Sequence, residues 1–317
     1  MTQRPRLLRY AAISVTAALL TIALKGGAYL LTGSVGLLSD ALESVVNLIA
    51  AMIGFFALSV AARPADADHA YGHTKAEYFS SGFEGALILI AAAAIIATAA
   101  RWLAAPHRIA EPGLGLAISS AATAINYGVA RVLFRAGRQY RSITLEADAH
   151  HLMADVWTSA GVIGGVGAAA LTGWYWIDGV VGIAVGLHVL RWGVNLLRRS
   201  MDGLLDTSLS EETRRTIISI LEARAPEGVR YHALRTRQAG ARQFISFHIL
   251  VPGNWSVQRG HDLLERLEEE VRAAVPDSSV DTHLEPIEDP LSWEDDRLER
   301  PPEGQRGTPS TPFPSEE

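Results

Sequence analysis

Two residue pairs in this 317-residue chain could hold a metal ion where such side chains are expensive: Glu43 with Asn47, and His151 with Asp155. Each pair is spaced four apart, so on a helix its members stack on one face. Both lie in segments otherwise apolar enough to cross a membrane, where an ionisable group costs several kcal/mol and marks an ion or substrate path. Four oxygen and nitrogen donors from two adjacent helices make a tetrahedral site for a divalent cation. Asp40 and Ser44 share the polar stripe of Glu43 and Asn47 and offer an alternative register. Asp40 could instead pair with Lys25, as a packing contact.

Two further clusters have ligand spacing. Asp66, His69 and His73 form Asp-x-x-His-x-x-x-His, the pattern of a surface metal site. Later in the chain stand His232, His248, His261, His283 and Glu285, on elements expected to be neighbours. His283 and Glu285 alternate along an expected strand and so share a face. The remaining histidines carry less: His107 reads as inert, His150 faces away from His151, and His188 reads as a packing residue. There is no cysteine, so thiolate sites, disulfides and cysteine nucleophiles are excluded. Any metal is held by His, Asp, Glu or Asn, a set for borderline to hard divalent ions.

These residues need elements to position them. Six segments meet the requirement of roughly twenty apolar residues: about 11–31, 35–61, 80–103, 113–134, 145–171 and 177–197. The first follows Arg4, Arg6 and Arg9 and reads as a membrane span rather than a cleaved signal. Arg63, Lys75, Arg131, Arg135, Arg138, Arg141, Arg198 and Arg199 fall on the same side as those first arginines, which places both termini in the cytosol. Residues 1–10 are then a cytosolic N-terminus and 11–200 a six-helix transmembrane domain. Residues 207–290 read helix, strand, strand, helix, strand, an α+β domain with three strands covered by two helices. The Pro-rich segment 291–317 reads as a disordered tail. No basic tract points to nucleic acid, and the overall charge of −6 says little, because the acids concentrate near the C-terminus.

With these residues in view the chain resembles the cation diffusion facilitator family of divalent-metal/proton antiporters, over about residues 10–288. The resemblance rests on Asp66-x-x-His69-x-x-x-His73 followed by Lys75-Ala-Glu77, on His151-x-x-x-Asp155, and on the segment from His232 through Arg237, Gly240 and Phe244 to His248. It is strongest to the bacterial zinc and iron efflux branch. It implies an all-α six-helix membrane domain with a cytosolic metallochaperone-like, ferredoxin-like domain, working as a homodimer. Glu43, Asn47, His151 and Asp155 match the transport site. Asp66, His69 and His73 match a loop site, and His232, His248, His261, His283 and Glu285 a binuclear site between two cytosolic domains. Lys75 and Asp206 match a charge pair at the dimer interface. Two departures stand out: that branch usually has aspartate at both helix-two positions, here Glu43 and Asn47, and Glu285 replaces an aspartate.

The function expected is export of a divalent cation, Zn²⁺ or Fe²⁺ first and Mn²⁺ or Co²⁺ after, across the cytoplasmic membrane in exchange for protons. The cytosolic cluster would regulate the homodimer. A membrane metal sensor with a degenerate transport path is one competing reading. A metalloenzyme is another, which the absence of any base beyond the ligands disfavours.

Overall fold

The computed structural model describes residues 4–32, 35–104, 113–172, 174 and 176–296; for some residues inside the helices only the backbone is described. The chain divides after Leu205 into two compact units.

The first unit consists of six helices: α1 (Arg4–Thr32), α2 (Val35–Ala61), α3 (Ala76–Ala104), α4 (Gly113–Tyr140), α5 (Ile143–Thr172) and α6 (Trp176–Leu204). At 27 to 30 residues each, they run about 40–45 Å, longer than the roughly 30 Å hydrocarbon core. Among the described residues, Leu7–Gly27, Ala76–Arg101 and Gly179–Leu204 are long and apolar enough to cross a membrane, and α2 adds the shorter apolar stretch Asn47–Ala61.

Several helices outrun the apolar segments that signal them. Helix α3 begins at Ala76 rather than near 80, and α4 continues to Tyr140 rather than 134. A helix is held by its backbone hydrogen bonds, so polar end residues such as Arg135 and Arg138 extend it past the apolar limit. The α4–α5 connection is reduced to Arg141 and Ser142, with Arg141 at a positive φ of 52°. Ser142 N–H closes the turn on the Gly137 carbonyl at 2.9 Å, and its hydroxyl donates to Glu77 of α3 at 2.5 Å.

Helices α3 and α6 approach closely through small residues, as membrane helices do. A Cβ at Gly186 would lie 2.5 Å from Ile96 Cγ1, and one at Gly203 would lie 2.2 Å from the Tyr78 ring. On the other side of the unit, Leu58, Leu133, Leu145 and Leu152 pack with Ala130 and Ala149 into a buried cluster, which holds α2, α4 and α5 around the polar side chains described below.

The second unit has the expected order: α7 (Glu211–Glu222), β1 (Arg230–Ala239), β2 (Arg242–Val251), α8 (Val257–Ala274) and β3 (Ser278–Pro286). Ser210 caps α7 by accepting from the Thr213 N–H, and Ser256 caps α8 by accepting from the Arg259 N–H. Strand β2 is central, antiparallel to β1 and parallel to β3. Gly240 turns the β1–β2 hairpin at φ 59°. The odd-numbered residues of β2 (Ile245, Phe247, Ile249 and Val251) join Leu263, Leu267 and Val271 of α8 and Ile217 and Leu221 of α7 in one core. The opposite face of the sheet carries His232, His248, His283 and Glu285.

One boundary moves. Pro290–Asp296 form a 3-10 segment, which takes in the first six residues of the Pro-rich tail expected from 291. Its anchors are local: the Trp293 indole N–H donates to the Ile287 carbonyl at 3.0 Å, and the Ser292 hydroxyl to the Pro286 carbonyl at 2.9 Å. Residues 297–317 and His107 lie outside the described residues.

Close α3–α6 packing gives one substitution opposite effects at two glycines. Gly186→Ala should destabilise the full-length protein by about 1–3 kcal/mol through overpacking against Ile96. Gly128→Ala, with nothing within 4 Å of the new Cβ, should be neutral or stabilising by up to about 1 kcal/mol through helix propensity. Thermal denaturation in detergent reads both; equal shifts would contradict the packing.

Candidate cation sites

Helices α2 and α5 bring Asn47, His151 and Asp155 together. Asn47 and His151 are both buried, and the Asn47 amide bridges the other two. Its Nδ2 donates to Asp155 Oδ2, while its Oδ1 lies 2.7 Å from His151 Nε2 and accepts when that nitrogen carries the proton. His151 Nδ1 is buried with no hydrogen-bond partner among the described residues. A tetrahedral ion bound at 2.0–2.1 Å holds its ligand atoms about 3.3 Å apart. These side chains therefore need only small rotamer changes to turn from one another onto a shared cation.

Of the other residues expected here, Ser44 is buried. Glu43 and Asp40 belong to α2, but their side chains lie outside the described residues, so the choice between the two registers falls there too. Lys25 is buried in α1.

Sequence reasoning missed Asn126. Buried on α4, it places Nδ2 3.5 Å from Asp155 Oδ2, so that two amides from two helices converge on one carboxylate oxygen. Its signal was present: an amide between Ile125 and Tyr127 in an apolar helix is as anomalous as Asn47. The same reasoning would have marked Glu84, fully buried within α3.

In the loop between α2 and α3, Asp66 stands between two imidazoles. His69 Nδ1 lies 3.2 Å from Asp66 Oδ1, and His73 Nε2 lies 3.4 Å from Asp66 Oδ2, close to the spacing a tetrahedral ion imposes. The loop is shaped by the His69 N–H donating to Asp66 Oδ1 at 2.7 Å and by Gly72 at φ 83°. That backbone hydrogen bond, helped by the two imidazoles, holds the Asp66 carboxyl below the usual aspartate range. His73 is the least exposed of the three, with Nδ1 unpartnered among the described residues.

On the sheet of the second unit, register puts three histidines in a row. His232 pairs with His248 across β1–β2, and His248 with His283 across β2–β3. Glu285 sits two residues beyond His283, buried. Its two oxygens divide between two rings: Oε2 lies 2.7 Å from His232 Nε2 and Oε1 lies 3.2 Å from His248 Nδ1. His283, largely exposed, approaches Oε1 to 3.5 Å. The extra methylene of Glu285, relative to aspartate, lets one carboxylate span both rings. A bulge follows His232, with Ala233 at φ 50°, and bulges of this kind re-aim a side chain. Trp293 also flanks the cluster, its ring 6.2 Å from that of His232.

Not all expected ligands meet within the chain. His261 lies on α8, exposed, 4.0 Å from Glu265, and α8 covers the other face of the sheet. Lys75 donates to the Leu204 carbonyl at 3.3 Å, and Asp206 pairs with Arg237 Nη1 at 3.3 Å. His150 and His188 both pack against Trp192, with ring centroids 5.2 Å and 4.5 Å away.

Known proteins are similar in sequence along most of the chain. Residues 11–205 match the cation efflux transmembrane domain family, and residues 209–287 match the cation efflux protein cytoplasmic domain. An uncharacterized transporter of Synechocystis is 52% identical over 285 residues, covering 90% of this chain and 92% of its own length. The cation-efflux pump FieF of Shewanella oneidensis is 32% identical over 87% of this chain and 92% of its own. FieF of Citrobacter koseri is 28% identical over 89% and 93%. Two apolar-helix and sheet-domain matches in series, with relatives named as transporters or pumps, fit a carrier rather than an enzyme. The chain belongs to the cation efflux family, the cation diffusion facilitators, and is a membrane transporter of cations.

Proposed function

We propose that this transporter exports a divalent metal ion from the cytosol in exchange for protons. The convergence of Asn47, His151 and Asp155 from two helices carries the reading, with Glu43 as fourth ligand. The cation is Zn²⁺ or Fe²⁺ first, then Mn²⁺ or Co²⁺; a nitrogen and oxygen donor set without thiolate disfavours Cu⁺. Both termini face the cytosol, and the pump works in the cytoplasmic membrane as a homodimer. His232, His248, His283 and Glu285 bind metal on the sheet face, and a second copy supplies His261. Lys75 and Asp206 then form the charge pair at the dimer interface, and Asp66, His69 and His73 make a loop site that gathers cations.

The chemistry follows from competition for the same lone pairs. A cation needs His151 Nε2 without its proton and Asp155 as a carboxylate, so binding expels protons and acid on the outer side expels the cation. Helix rocking around the fixed site exposes it alternately to each side. Asn47 coordinates through its carbonyl oxygen and carries no proton, so protons exchange at Glu43, His151 and Asp155.

In proteoliposomes under a pH gradient, Asp155→Ala should reduce Zn²⁺ or Fe²⁺ uptake to background; retained transport would overturn the site assignment. Asn47→Asp should raise divalent-cation affinity about tenfold or more, because it sets a second carboxylate beside Asp155 whose repulsion only a cation or a proton relieves. Equal affinities in competition binding would count against Asn47 as a ligand. Glu285→Ala should weaken Zn²⁺ binding to the second unit by at least about tenfold while leaving the Asp155-dependent site intact. Quenching of Trp293 near His232 offers a readout.

A further inference from the structure

Glu77 lies in the first turn of α3, four residues after His73, and the function described above gives it no part. An acid there interacts favourably with the free N–H groups at the start of its own helix and needs nothing else. Glu77, however, is buried, and it reaches across to the start of α5. Ser142, the residue before α5, donates its hydroxyl hydrogen to Glu77 Oε2 at 2.5 Å. The same hydroxyl accepts from the Leu145 N–H at 3.4 Å, which caps α5. Thr144 adds a second tie, donating from Oγ1 to the main-chain carbonyl of Glu77 at 3.3 Å. Ser142 and Thr144 are both buried.

Two bonds to one residue, one to its side chain and one to its main chain, fix both the rotation and the height of a helix start. Thr144, His151 and Asp155 follow at intervals of seven and four residues, so all three share one face of α5. His151 stands two turns, about 10 Å, beyond Thr144. At the roughly 5–6 Å radius of the side chains, a rotation of about 20° shifts a ligand atom by about 2 Å. Metal–ligand distances hold within about 0.2 Å. A first turn free to rotate would therefore carry His151 and Asp155 out of register with Asn47 of α2.

We propose that Glu77 is a positioning residue for cation transport: it clamps the start of α5 through Ser142 and Thr144, and so aims His151 and Asp155 at the ion. It touches no cation itself. The inference rests on the reading of His151 and Asp155 as transport ligands and adds the group that orients them.

The test is the concentration dependence of Zn²⁺ uptake by the full-length protein in proteoliposomes under a pH gradient. Glu77→Ala should raise the half-saturating Zn²⁺ concentration about tenfold or more. Glu77→Gln, whose amide oxygen still accepts from Ser142, should recover most of that loss. Ser142→Ala should reproduce the defect, and the double variant should be no worse than the more affected single one, because both cut the same bond. An unchanged half-saturating concentration in Glu77→Ala overturns the clamp even if the melting temperature falls, since a purely structural role moves only the latter. Defects that multiply in the double variant overturn it as well. Should Glu77→Ala fail to fold, Ser142→Ala against Ser142→Thr, which keeps the hydroxyl, decides on the same measure; equal values overturn the proposal. Uptake lost in Asp155→Ala but normal in both clamp variants overturns the clamp alone, whereas uptake retained in Asp155→Ala removes the transport-site reading and the clamp with it.

Discussion

A polar side chain inside a lipid-embedded helix bundle has no water to turn to, so each must find its partner on a neighbouring helix. In this protein that constraint falls on α2, α4 and α5, whose buried Asn47, Asn126 and His151 and half-buried Asp155 have one another as partners. The Asn47 amide satisfies an imidazole with its oxygen and a carboxylate with its nitrogen, a double role that neither aspartate nor an apolar residue could fill. The rest of the unit serves this contact. The leucine and alanine cluster between α2, α4 and α5 holds the three helices at the needed distance. The glycine-lined seam of α6 on α3 lets the bundle close without bulky side chains.

The chain uses one device repeatedly: a carboxylate set between nitrogen donors. Asp66 lies between His69 and His73, and Glu285 between His232 and His248. In each the two oxygens address different rings, which fixes the orientation of both imidazoles. The intramembrane group differs in having an amide where a second acid would stand. An amide is neutral, so the bundle can hold it among apolar neighbours without a counter-charge.

The elements of the second unit were readable from local pattern. Ser210 before two acids starts α7, Gly240 turns the hairpin, and the spacing of Leu263, Leu267 and Val271 reports the buried stripe of α8. The helices of the first unit were readable as to number but less so as to length, because hydropathy measures contact with lipid while helices end where their backbone hydrogen bonds end. The 3-10 segment around Trp293 escaped notice because a Pro-rich composition gives no sign of an indole anchored to the Ile287 carbonyl. Asn126 and Glu84 escaped for another reason: each stands alone in its helix, and a pattern search looks for pairs.

Residue type and spacing alone determined the donor types available, the number of helices and strands, and the family, because each depends on side chains near one another along the chain. Only the tertiary structure decided which donors meet. It joined Asn126 to Asp155 and ranked His232 and His248 above His261 around Glu285. Those meetings depend on helix rotation and strand register. Both are fixed by packing between segments distant in sequence, which spacing along the chain does not encode.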